Sequence, residues 1–71
     1  MAESVYKVID LVGTSDVSWE RAAEAAVTRA AQSLRDLRIA EVAELDLQID
    51  NGSVVAYRAK VRVSFKYEGG D

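Results

Sequence analysis

Residues 43–61, AELDLQIDNGSVVAYRAKV, are the most informative part of the sequence, because two alternating segments lie on either side of an Asn-Gly pair. Apolar and polar residues alternate with a period of two, which predicts β-strands. An Asn-Gly pair between two such strands predicts a hairpin. The predicted apolar faces consist of Ile39, Ala43, Leu45, Leu47 and Ile49 on the first strand, and Tyr57, Ala59, Val61, Val63 and Phe65 on the second.

The register of this hairpin depends on the length of its turn, because a shift of one residue moves every side chain to the other face. A two-residue turn at 51–52 sets Leu45 opposite Arg58, which places an apolar residue against a charged one. A three-residue loop over residues 51–53 restores the match between the apolar faces. Such loops are common in hairpins. We therefore predict the three-residue loop.

With this register, the polar residues of the hairpin form pairs on one face of the sheet. Acidic residues precede the turn and basic residues follow it, so opposite charges meet across the strands. Each such pair contributes roughly 0.2–1 kcal/mol, which favours a solvated ladder that fixes the register over a ligand site. The predicted cross-strand pairs are Asp46 with Arg58, Glu44 with Lys60, and Val42 with Arg62.

Two further elements precede the hairpin. The segment SVYKVIDLVGT is rich in Val, Ile and Tyr and predicts a strand that ends at Gly13. The segment SWERAAEAAVTRAAQSLRDL, residues 18–37, carries apolar residues at helical spacing and predicts a helix. Ser18 is the predicted N-cap, with Ser15 as its rival. The sequence thus predicts an α+β domain over residues 1–71, with β-α-β-β order and one helix on a three-stranded antiparallel sheet.

The composition excludes several classes of function. The chain has 71 residues, no cysteine and no histidine, so neither a typical zinc site nor a Ser-His or Cys-His mechanism is expected. A net charge of −3 argues against nucleic-acid binding. No apolar run is long enough for a membrane span, and we expect a cytoplasmic protein. One helix covers only one face of the sheet, which indicates that apolar residues on the other face require contacts with other subunits.

The same segments resemble the dodecin family. The similarity covers VYKVIDLVGTS, SWERAAEAAVTRA and DNGSVVAYRAKVRVSFKYE in that order, from about residue 5 to residue 68. This resemblance implies a β-α-β-β subunit whose sheet wraps its helix, and a hollow assembly of twelve identical subunits. It also implies binding and buffering of a small ligand, usually a flavin such as FMN or riboflavin, rather than catalysis.

Three of the four residues that the resemblance places in a flavin site have changed character. Ile39 stands where flavin-binding dodecins have a tryptophan that stacks on the flavin ring, and an isoleucine has no aromatic face. Arg58 corresponds to a glutamine, and arginine only donates hydrogen bonds. Asp46 corresponds to a basic residue. Lys66 retains the basic character of a position that can contact phosphate.

These changes are similar to a divergent branch of the family, the calcium dodecins. Calcium prefers about six to eight oxygen ligands, and an EF-hand loop is excluded here because residue 51 is not glycine and residue 57 is not glutamate. A calcium site would therefore form between subunits. The candidate ligands are Glu44, Asp46 and Asp50, with Asp16 and Glu20 at the start of the helix as further candidates.

Three functions remain open from the sequence. The first is a homododecamer that binds or stores calcium or another small ligand. The second is a flavin-binding dodecamer with a remodelled pocket in which Arg58 and Lys66 contact the ligand. The third is a structural shell that has no physiological ligand. An enzyme is not expected, because no nucleophile and base are paired in the sequence.

Overall fold

A computed structural model describes residues 3–67, which form one helix and a three-stranded antiparallel sheet. The elements in chain order are β1 (Tyr6–Ser15), α1 (Trp19–Ala31), β2 (Leu37–Asp50) and β3 (Ser53–Lys66). The strand order in the sheet is β1-β3-β2, so β3 lies in the middle. The predicted β-α-β-β fold is confirmed.

The core lies where α1 covers the centre of the sheet. Alternate residues of β3 point toward the helix, in agreement with the predicted pattern, and the buried residues of the helix are all alanines, with Val27 partly buried beside them. Within residues 3–67 no buried side chain is larger than valine, so the helix lies very close to the sheet. The buried apolar side chains are Ala22, Ala26 and Ala30 of α1 and Ala59, Val61 and Val63 of β3.

Gly13 permits this close approach. The predicted end of β1 at Gly13 is wrong, because the strand continues to Ser15 and Gly13 pairs with Ala59 of β3. A methyl group at Gly13 would overlap the carbonyl oxygen of Ala22 on the helix. The glycine therefore lies where the helix backbone crosses the strand. From the sequence alone, a glycine at this position is also compatible with the end of a strand.

The helix begins as predicted and ends early. Ser18 is its N-cap, and its hydroxyl accepts a hydrogen bond from the backbone N–H of Arg21 at 3.1 Å. The Ser15 hydroxyl accepts from the N–H of Val17 at 3.0 Å, which closes the preceding turn. The predicted extension to residue 37 is wrong, because Leu37 belongs to β2 and pairs with Phe65. Packing of Leu37 in the sheet outweighs its helical spacing.

The hairpin turn contains two residues, so the predicted three-residue loop is wrong. Asn51 and Gly52 both have positive φ, at 56° and 80°, and Asp50 pairs with Ser53. Two consecutive residues with positive φ suit the two-residue turn that an Asn-Gly pair favours. Between the pairs Gln48–Ala56 and Ile49–Val54, β3 has one residue more than β2. This residue, Val55, forms a β-bulge.

The bulge restores the predicted register over the centre of the hairpin. Asp46 lies opposite Arg58, and Glu44 lies opposite Lys60, so both of these predictions are confirmed.

A second bulge changes the faces of β2 nearer its start. The register shifts at Ala43, so Val42 lies opposite Val61 and the predicted pairing of Val42 with Arg62 is wrong. A third irregularity follows at Arg38. The shift at Ala43 sets Ile39 opposite Ser64 on the face away from the helix, so its predicted place beside Leu45 is wrong, whereas the irregularity at Arg38 sets Leu37 opposite Phe65.

The subunit is elongated. Its extents are 53 × 20 × 17 Å and its radius of gyration is 14.6 Å, against about 11 Å for a compact chain of this length. Large apolar side chains are at least 40% exposed along β2, namely Ile39, Val42, Leu45, Leu47 and Ile49. Among residues 3–67, no helix has the length and apolar character that crossing a membrane requires.

Candidate functional site

The candidate site is the outer face of the sheet, defined as the face that points away from α1. Because side chains alternate along a strand, the residues between the buried positions of β3 point to this face. They form a basic row in the middle strand, and acidic residues of β1 and β2 lie on both sides of it. The basic row consists of Arg58, Lys60, Arg62 and Lys66, and the flanking acids are Asp10, Glu41, Glu44 and Asp46.

Asp46 and Arg58 form the best-defined contact on the outer face. Arg58 Nε donates to Asp46 Oδ1 at 2.7 Å, and Nη2 donates to Oδ2 at 2.9 Å, so both carboxylate oxygens are engaged. The hydrogen bonds from Arg58 lower the pKa of Asp46, and the carboxylate in turn raises the pKa of Arg58. Both side chains are about half exposed, at 53% for Asp46 and 44% for Arg58.

Arg62 has two acidic partners instead of one. Its Nε lies 3.1 Å from Asp10 Oδ1 on β1, and its Nη1 lies 3.8 Å from Glu41 Oε1 on β2. Arg62 therefore links all three strands across the outer face. Sequence reasoning missed Asp10 and Glu41, although the position of Asp10 between Ile9 and Leu11 was a usable signal, because it places the acid on the face opposite those two apolar residues.

Trp19 connects the start of the helix to β2. Its indole N–H donates to the backbone carbonyl of Asp46 at 3.0 Å. Its ring packs edge-on against Tyr57, with 5.2 Å between ring centroids and an interplanar angle of 73°. The backbone of β2 is thus held at the residue whose carboxylate contacts Arg58. This contact joins residues 27 positions apart in the chain, and no local pattern predicts it.

The three residues predicted for flavin binding lie at two ends of the outer face. Ile39 is 66% exposed and pairs with Ser64, two residues from Lys66 on β3. Arg58 is six residues from Ser64 along the same strand, or about 20 Å. One subunit therefore brings Ile39 and Lys66 to one end and places Arg58 at the other.

The three predicted metal ligands follow one another along β2. Glu44 and Asp46 are two residues apart, or about 7 Å along the strand, and Asp50 lies about 13 Å beyond Asp46 at the turn. Carboxylate oxygens suit calcium, but within residues 3–67 no three acidic, histidine or cysteine side chains come close enough to hold a metal ion. The donor chemistry fits calcium, whereas the number of donors requires further copies of the chain.

This combination of a β-α-β-β subunit, an alanine-lined helix and a charged outer sheet face defines a dodecin-type subunit. The family model described as Dodecin matches residues 5–68. The chain belongs to the dodecin family.

Individual dodecins are similar over nearly the full chain. The calcium dodecin of Mycobacterium tuberculosis is 54% identical over 63 residues, which cover 89% of each protein. A crystal structure of that calcium-chelating protein, with a novel calcium-binding site, matches with a TM-score of 0.83 and 51% identity over 96% of this chain and 97% of the other.

Two further dodecins show the same fold. The dodecin of Thermus thermophilus is 41% identical over 64 residues, covering 90% of this chain and 93% of the other. The structure of dodecin from Streptomyces coelicolor matches with a TM-score of 0.89 and 36% identity, over 99% of this chain and 100% of the other.

Proposed function

We propose that the protein is a hollow homododecamer that binds and stores calcium. The observation that carries this proposal is the row of carboxylates on the outer face of β2, in a chain that is 54% identical to a calcium dodecin. The proposed role is binding rather than catalysis, because the chain has no histidine or cysteine to serve as base or nucleophile.

The physical case for assembly rests on the size of the core. Among residues 3–67, only six apolar side chains are buried, and four of them are alanines, so little apolar surface is buried for a chain of this length. A subunit of this kind gains stability when identical copies cover its exposed apolar side chains. The number twelve comes from the family resemblance.

We place the calcium site between subunits, with ligands drawn from Glu44, Asp46 and Asp50. A symmetry axis multiplies one carboxylate into two or three, which supplies the oxygens that a single chain lacks. Within residues 3–67, Glu44 and Asp50 take part in no ion pair, so their carboxylates remain available. Asp46 is available only when Arg58 releases it.

A thermal melt with and without calcium tests the proposal. Calcium at a hundred times its dissociation constant stabilises a folded protein by about 2.7 kcal/mol, so the melting temperature should rise with calcium and not with equal magnesium. Glu44→Gln and Asp50→Asn should each reduce this rise. Glu3→Gln is the matched control, because Glu3 is an exposed carboxylate outside the sheet. A melting temperature that does not respond to calcium would contradict the proposal.

Flavin binding is the second candidate function. It is favoured by the position of Ile39 and Lys66 at the same end of the outer face, and by the 41% identity with the Thermus thermophilus dodecin. FMN and riboflavin should then lose fluorescence on addition of the protein. Ile39→Trp should strengthen the quenching, because it supplies an aromatic face for stacking. If the protein does not quench flavin fluorescence and calcium does not change its melting temperature, the third candidate, a structural shell, is favoured.

A further inference from the structure

Arg58 and Arg62 lie four residues apart on the outer face of β3 but are held differently. Arg58 contacts one carboxylate, Asp46, through two hydrogen bonds. Arg62 contacts two carboxylates on different strands. Among the described residues, 3–67, loss of Asp46 leaves Arg58 without an acidic partner, whereas loss of Asp10 leaves Arg62 beside Glu41.

A calcium ion on Asp46 competes with Arg58 for the same carboxylate. Both oxygens of Asp46 face the guanidinium, and two cations that share one carboxylate repel each other. The pair is half exposed, so the cost of separating it is modest. Calcium binding at this residue therefore favours an outer face on which Arg58 is unpaired.

An unpaired Arg58 has the surroundings of an anion-binding residue. Lys60 is the next residue of β3 on the same face, and Thr14 of β1 lies directly opposite Arg58. The planar guanidinium presents donors in a fork that matches phosphate, and a neighbouring ammonium and hydroxyl add further donors.

We propose that Arg58 is a phosphate-binding residue whose guanidinium is occupied by Asp46, and that calcium bound at Asp46 frees this guanidinium for phosphate. The calcium part of this inference rests on the proposed function. Because coupling between two ligands is reciprocal, phosphate should raise calcium affinity by the same factor by which calcium raises phosphate affinity. The ligand class is inorganic phosphate or an organic phosphate monoester.

The experiment compares phosphate binding by the whole protein and two variants. Inorganic phosphate and phenyl phosphate are titrated separately, in a calcium-free buffer, and binding is followed by calorimetry. In this calcium-free buffer, Asp46→Asn removes the acidic partner of Arg58. The variant should bind phosphate about two- to five-fold more tightly than the wild type, the factor that corresponds to an exposed ion pair. Asp10→Asn makes the same change of charge beside Arg62 and should leave the affinity unchanged. The tighter of the two ligands identifies the source of the phosphate.

Calcium is then added to the wild type and to Asp46→Asn. The inference predicts tighter phosphate binding with calcium in the wild type and no further gain in the variant. Equal phosphate affinity in Asp46→Asn and the wild type would overturn the role of Arg58. If calcium raises the melting temperature of the wild type but not its phosphate affinity, the inference is overturned and the proposed calcium storage stands. If calcium changes neither while Asp46→Asn binds phosphate more tightly, Arg58 keeps its role and calcium storage is overturned.

Discussion

β2 and β3 are adjacent strands of 14 residues each, but only β3 has buried residues. β3 contributes Ala59, Val61 and Val63 to the core, each at most 1% exposed, whereas no residue of β2 is buried. The reason is position, since β3 lies between two strands beneath the helix and β2 lies at the edge of the sheet. The centre of the sheet therefore stabilises the subunit, and the edge strand is available for ligands and other subunits.

The largest expected effect is at the point where the helix crosses the covered sheet. Gly13→Ala places a methyl group against the Ala22 carbonyl, so the helix must move away from β1 and β3. We expect a loss of about 3 kcal/mol in the free energy of unfolding, measured with urea. Gly52→Ala is the matched control, because its surroundings are open and only its positive φ opposes the change, at a cost of about 1 kcal/mol. Equal losses at the two glycines would mean that the helix is not tightly seated.

The cross-strand pair of Val42 and Val61 tests directly whether β3 contributes more to stability than β2. Val61 is fully buried, so Val61→Ala should lower the free energy of unfolding by about 2 kcal/mol. Val42 is 49% exposed, so Val42→Ala should cost less than about 1 kcal/mol in the subunit itself. Sedimentation should then show that Val42→Ala weakens the proposed assembly more than it weakens the fold. A reversed order of the two losses would contradict the division between centre and edge.

A smaller effect is expected at the contact that joins the helix to the edge strand. Trp19→Phe keeps an aromatic ring beside Tyr57 and removes the hydrogen bond to the carbonyl of Asp46. We expect a loss of about 1 kcal/mol by thermal or urea unfolding. Amide hydrogen exchange should increase in β2 around residue 46 and remain unchanged at Val61. Faster exchange throughout β3 would show that β2 and β3 open as one unit.

The smallest effect is a dependence on pH at the exposed ion pair. The pKa of Asp46 is lowered by Arg58, so the pair stabilises the fold at every pH above the ordinary carboxyl pKa of about 3.9. This contribution is lost as the pH falls through the lowered pKa of Asp46. The difference in melting temperature between wild type and Asp46→Asn should thus be constant near neutral pH and disappear in strong acid. A difference that grows on acidification would contradict the assignment.

The sequence predicted most of the fold and the central pairs of the candidate site. The alternation of the two strands, the Ser18 cap and the pairing of Asp46 with Arg58 were all visible in local patterns. The predicted turn length is wrong because the additional residue lies in a bulge of β3 at Val55 rather than in the turn. The predicted flavin and metal residues stay predictions, since their test requires the ligand and the neighbouring subunits.

Local sequence patterns are sufficient for the order of the elements, the central register of the hairpin and membership in the dodecin family. These depend on periodicity and on residue types that are close together in the chain. Three features are visible only in the folded chain: Gly13 lies beneath the helix, Ile39 faces outward, and Trp19 holds β2 at Asp46. The physical reason is that a bulge or a close approach depends on the packing of distant segments, and one displaced residue moves a side chain to the opposite face.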